Sequence, residues 1–135
     1  MEFESYKESH VEASKRFNEW GDCTVMAWAH CFDCEYEKAH AWMKKHGRPH
    51  RKGMKLDEIH AALKSCTKAK VKFGPYTQKN KIALNKFVKQ HPKGRYYVLV
   101  RGHALCVKDG IVHDYKDGPR RQVVFAARVY LEGEL

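Results

Sequence analysis

"VRGHALCVKDGIVHDY", residues 100–115, holds two apolar runs joined by Asp109-Gly110, a two-residue hairpin signal. Closing the chain at that dipeptide pairs Lys108 with Ile111, Val107 with Val112, Cys106 with His113, and Leu105 with Asp114. Side chains alternate along a strand. One face of the hairpin therefore carries His103, Leu105 and Val107 with Val112 and Asp114, while Cys106 and His113 point the other way. His103 and Asp114 become diagonal neighbours, near enough for a carboxylate to orient an imidazole. A slip of one residue would undo the arrangement, so the register is the point to check.

Working outward, "RYYVLVRG" precedes the hairpin and "QVVFAARVYLE" follows it, the latter across a "KDGPR" turn at 116–120. Both read as strands. The first half reads differently. Val25, Met26, Ala29 and Phe32 make a helical stripe from Cys23, interrupted by "FDCE". A second helix runs from about Tyr36 to His46 and stops at Gly47. "LDEIHAALKSC" (56–66) is a third, and "AKVKFGPY" (69–76) a short strand with a turn. Thr77 reads as the N-cap of a fourth helix over 78–90. Residues 1–17 form a leading segment with room for one short helix. Helices first and a sheet after predict an α+β class, with N-terminal helices packed on a C-terminal antiparallel β-sheet. No linker interrupts residues 1–135, which read as a single domain.

The stretch "NEWGDCTVMAWAH" (18–30) carries the other half of the chemistry. Cys23 stands where a helix begins. Free backbone N–H groups and the positive end of the helix dipole favour thiolate there, lowering a thiol's pKa from about 8.5. The same N–H groups are suited to an oxyanion. Asp22 reads as the N-cap. Asn18, five residues before the cysteine, offers an amide hydrogen to the same oxyanion, and Trp20 reads as a cleft-lining, substrate-binding residue. A thiol, an imidazole and an acid in that order follow the logic of nucleophilic catalysis.

"N-x3-D-C" before a helix, "GHA" on a late strand and an aspartate about ten residues on resemble the papain-like cysteine peptidase superfamily. The resemblance is greatest to its compact members, the small papain-like proteins of bacteriophage genomes and the bacteriocin-leader-processing peptidases. It implies a papain-like fold over nearly the whole chain, with Cys23 as nucleophile, His103 as base, Asp114 as orienting residue and Asn18 in the place of the oxyanion-hole glutamine. It implies a cysteine protease (thiol protease) or related hydrolase or acyl transferase, acting on a peptide, isopeptide or amide bond, with a protein or peptide substrate. Hydrolysis, deamidation and transfer all remain open, because one triad serves each. The alternative is a catalytically silent, basic papain-like module of phage type that binds a host protein or nucleic acid.

A net charge of +10 favours an anionic partner, an acidic protein or a nucleic acid. The densest cluster, "RPHRKGMK" (48–55), nominates Arg48, Arg51, Lys52 and Lys55 as its patch. No apolar run spans a bilayer, and the charged N-terminus lacks a secretory pattern, which predicts a cytoplasmic protein and no membrane partner. Five cysteines, an odd number, read as free thiols rather than a disulfide framework. Cys31, Cys34, His46 and His50 approach a zinc-finger spacing, but Gly47 and Pro49 break the helix that would carry both histidines. No metal and no cofactor is expected.

Overall fold

The computed structural model describes residues 1–116 and 121–134. In chain order the elements are β1 (Glu2–Ser5), α1 (Glu8–Arg16), α2 (Cys23–Cys31), α3 (Tyr36–Lys45), α4 (Leu56–Lys64), β2 (Ala69–Phe73), β3 (Ile82–Ala83), α5 (Leu84–Gln90), β4 (Arg95–Val100), β5 (His103–Lys108), β6 (Ile111–Asp114) and β7 (Gln122–Leu131). The α+β class holds. The "KDGPR" turn expected at 116–120 lies, but for Lys116, outside the described residues.

The sheet runs β1-β6-β5-β4-β7-β2, with β3 pairing a free stretch of β7. It is mixed rather than purely antiparallel, because β1 lies parallel to β6, Glu2 against Ile111 through Ser5 against Asp114. That corrects the expectation of a sheet built only from the second half. "EFES" offers a single apolar residue, Phe3, and its partner strand is more than a hundred residues away, so no local pattern announces it. The hairpin closes in the register expected from Asp109-Gly110: Lys108 faces Ile111, Val107 faces Val112 and Cys106 faces His113.

Both faces of the sheet are covered. One packs against α1–α4 and includes Tyr97, Ala104, Cys106, Ala127 and Val129. The other packs against α5, where Leu84, Phe87 and Val88 meet Tyr96, Val98, Val100, Leu105 and Val107. β4 is central and buried on both sides, which is why "YYVLV" is a continuous apolar run rather than an alternating one. α2 is sheathed likewise: every residue from Thr24 to Cys31 is buried. The one-sided stripe expected there is thus an all-round apolar helix, the core element of the first half.

α5 is shorter than the sequence suggests. The Thr77 hydroxyl accepts hydrogen bonds from the N–H groups of Lys79 and Asn80 (3.2 and 3.0 Å), closing a turn of its own rather than capping a helix. Ile82 and Ala83 then pair with Val123 and Gln122 before the helix begins at Leu84. Among the described residues no helix is long and apolar enough to cross a membrane.

Candidate active site

Cys23 is the first residue of α2, where backbone N–H groups have no intrahelical acceptor. The approach is a tight one. Gly21 adopts φ +65°, and a Cβ there would stand 3.3 Å from the Arg51 carbonyl oxygen, so "WGDC" passes the 48–55 loop at the closest distance glycine allows.

His103 opens β5 and Asp114 closes β6, and the hairpin register brings them together: His103 Nε2 lies 2.7 Å from Asp114 Oδ1. Asp114 is 1% exposed. Its Oδ1 also accepts the Tyr115 N–H (2.7 Å), and its Oδ2 lies 2.6 Å from Arg121 Nη1. Burial alone would raise its carboxyl; the His103 hydrogen bond and charge, with Arg121 and the Tyr115 amide, hold it below the usual carboxylate range. The His103 imidazole is pushed up to about 9, first by its bond to Asp114, then by a hydrogen bond to Cys23, against a desolvation that works the other way. With Nε2 committed to Asp114, Nδ1 is the ring nitrogen left for a second partner. The ring therefore carries a proton at neutrality, and an imidazolium faces the thiol.

Cys23 and His103 border an apolar cleft of about 320 Å³, walled by Met54, Leu56, Ile59, Leu99 and Phe125. Asn18 and Trp20 do not line it. Asn18 is the residue after the C-cap of α1, with φ 55°, a left-handed position asparagine tolerates. Its N–H bonds the Lys15 carbonyl and its own carbonyl accepts from Arg51 Nε (2.9 Å). It stands exposed at the end of α1. Trp20 is 58% exposed and lies under the Arg51 guanidinium, 3.8 Å from ring centroid to Cζ. The side-chain amide that does line the cleft is that of Gln78, from the loop between β2 and β3.

The basic patch is also redrawn. Arg48 is buried and grips Glu19 with both terminal nitrogens, 2.8 and 2.9 Å. His40 Nε2 and the Arg51 N–H complete the set on that carboxylate (2.6 and 3.0 Å). Burial alone would raise Glu19; the bonds from Arg48 and His40 overcome it and bring it down to about 2. Arg48 is thus an internal tie between the α1–α2 connection and the 48–55 loop, unavailable to a partner. Arg51 is half-buried over Trp20, and of the four residues nominated only Lys52 and Lys55 stand exposed.

Asp22 does not cap α2 with its side chain. Its carboxylate, 3% exposed, accepts hydroxyl protons from Ser14 (2.7 Å), Tyr36 (2.6 Å) and Tyr115 (3.0 Å). Tyr115 follows Asp114, so its hydroxyl ties the end of β6 to the start of α2, joining the two elements that hold the acid and the thiol. No sequence spacing signals this tie, because its donors come from α1, α3 and β6. All five cysteines are free thiols. Cys31 and Cys106 are fully buried, and burial raises Cys34 to about 11. Among the described residues no three His, Cys, Asp or Glu side chains form a metal-holding group; His46 packs on Trp42 at the end of α3.

No protein-family model matches the chain, and no match is found among curated proteins or solved structures.

Proposed function

We propose that the chain is a papain-like, cysteine-dependent hydrolase or acyl transferase acting on a peptide, isopeptide or amide bond. The observation that carries this reading is the His103 ring, hydrogen-bonded to the buried Asp114 (2.7 Å) and bordering the same cleft as Cys23. A thiol at a helix start, an imidazolium beside it and an apolar cleft alongside are the parts acyl transfer requires.

In the reacting form Cys23 and His103 share one proton, which rests on the imidazole; the Cys23 thiolate attacks the substrate carbonyl carbon and the carbonyl π electrons move onto the oxygen. First-turn N–H groups of α2 hold that oxyanion. His103 gives its proton to the leaving amine, the C–N bond breaks and a thioester remains. A water or an acceptor amine, deprotonated by His103, then attacks the thioester and releases Cys23. Asp114, fixed by Arg121 and the Tyr115 amide, keeps the ring oriented throughout. The helical half laid over a sheet that presents the histidine and the acid is what the papain-like resemblance implies.

The test is labelling with a peptide bearing an electrophilic warhead, followed by mapping of the modified residue. The reading expects Cys23 alone to react, and labelling to vanish in Cys23→Ala and fall at least about 100-fold in His103→Ala, as loss of a general base does. Equal alkylation of Cys23 and Cys66 by iodoacetamide near neutral pH would reject it and leave a catalytically silent binding module.

A further inference from the structure

α5 covers only part of its face of the sheet, and the part toward β2 is open. Three strands there present a cross-strand row: Lys72 opposite Arg128 and Arg128 opposite Tyr96, with Lys70 opposite Tyr130 one step along. Residues directly opposite share a face. The Arg128 guanidinium lies 4.6 Å from the Tyr130 ring centroid and 5.7 Å from that of Tyr96. Tyr76 and His91 extend the aromatic surface, joined by a 2.8 Å hydrogen bond. Lys72, Tyr76, His91, Tyr96, Arg128 and Tyr130 line a groove of about 270 Å³ that contains no aspartate or glutamate, and Lys70 stands exposed beyond its edge, opposite Tyr130.

The charge here is uncompensated. Among the described residues, none of Lys70, Lys72 and Arg128 has a carboxylate within ion-pairing distance, whereas Arg95 and Lys108 are paired with Asp33, and Arg95 also with Glu134. Arg128 Nε is buried without a hydrogen-bond partner. Gly94 makes the room for it: at φ +96°, a Cβ would stand 2.8 Å from Arg128 Nε and Nη2. The chain thus holds a guanidinium over a tyrosine ring, with Lys72 opposite it and Lys70 opposite the tyrosine, and among the described residues no carboxylate ion-pairs with any of the three cations.

We propose that this open face, centred on Arg128 and Tyr130, binds single-stranded nucleic acid. Lys70, Lys72 and Arg128 meet phosphates, and an unpaired base stacks on Tyr130 or on the outer side of the guanidinium. An acidic peptide satisfies the charge but not the aromatic platform, and a duplex hides its base faces. The surface lies on the opposite side of the sheet from α1–α4, so binding does not depend on Cys23 chemistry.

The experiment is fluorescence anisotropy of the full chain with a labelled oligothymidylate of about 12 nucleotides, the size of a single-domain site, against a duplex of equal length. The single strand should bind at least about fivefold more tightly than the duplex. Tyr130→Ala should weaken it about fivefold or more, the loss expected of one stacked base. Lys70→Gln with Lys72→Gln, both exposed and safe for folding, should flatten the salt dependence by roughly 0.7 in log–log slope per lysine removed. Lys52→Gln with Lys55→Gln and Cys23→Ser should leave affinity unchanged, which separates this site from the proposed catalytic one. Equal affinity for duplex, equal competition by polyglutamate, or full affinity in the Lys70/Lys72 double variant overturns the proposal.

Discussion

Asp114→Asn tests the electrostatics of the site directly. In the native chain His103 titrates near 9 because Asp114 holds its Nε2, with the Cys23 bond adding to that and burial opposing it. The variant deletes the largest raising influence and removes the negative charge that lies 2.6 Å from Arg121, so that cation is less fully offset beside the ring. Both changes favour the neutral ring, so the His103 midpoint should fall from about 9 to the ordinary 6.5 or below. A shift of about two and a half pH units corresponds to ~3 kcal/mol on paper; solvent screening at a ring with a quarter of its side chain exposed reduces that to ~1–2 kcal/mol. A raised histidine stabilises the fold fully below its unfolded value of about 6.5, and that contribution fades as pH rises through about 9. The stability deficit of Asp114→Asn should therefore narrow by ~1–2 kcal/mol between about pH 6 and pH 10. NMR titration of the ring protons gives the midpoint, and urea unfolding at the two pH extremes gives the deficit. A native midpoint below 7, or a variant midpoint within half a unit of the native one, would refute the reasoning.

Further expectations concern the supports around the site. Arg48→Met strands the Glu19 carboxylate in a buried place and should cost ~3–5 kcal/mol in denaturant unfolding, whereas Glu19→Leu combined with Arg48→Met should cost less than the single change. His30 is pushed down to about 3 by burial, and His10 and His113 are lowered in the same way. The unfolded chain takes up protons that the folded chain refuses, so stability should decline as pH drops below about 6.5, and His30→Gln should flatten that slope by ~1.4 kcal/mol per pH unit. Tyr115→Phe removes one of three hydroxyl donors to Asp22, and should cost ~1 kcal/mol and slow probe labelling of Cys23; unchanged labelling at reduced stability limits the tie to a structural role.

The hairpin was readable because Asp109-Gly110 admits one closure, and one closure assigns every side chain to a face. His103 and Asp114 follow from it without further information. The start of α2 at Cys23 was readable from the apolar pattern behind it. Asn18 is ambiguous in sequence because the same small amide suits an oxyanion site and the left-handed end of a helix, and the structure places it at the end of α1. Arg48 misled because charge density in a sequence does not reveal that Glu19, twenty-nine residues earlier, lies beneath it. β1 and Arg121 were silent because their partners are fixed by how distant strands assemble, not by local periodicity.

The parallel pairing of β1 with β6 bears on how the protein is born. Residues 2–5 are made more than a hundred residues before their partners at 111–114. Contacts that span so much chain form late, since the intervening loop must be closed before they repay it. The sulfur of residue 23 is thus synthesised 80 residues ahead of the imidazole at 103 and 91 ahead of the acid at 114, and it meets them only once the β5–β6 hairpin has docked on the helical half.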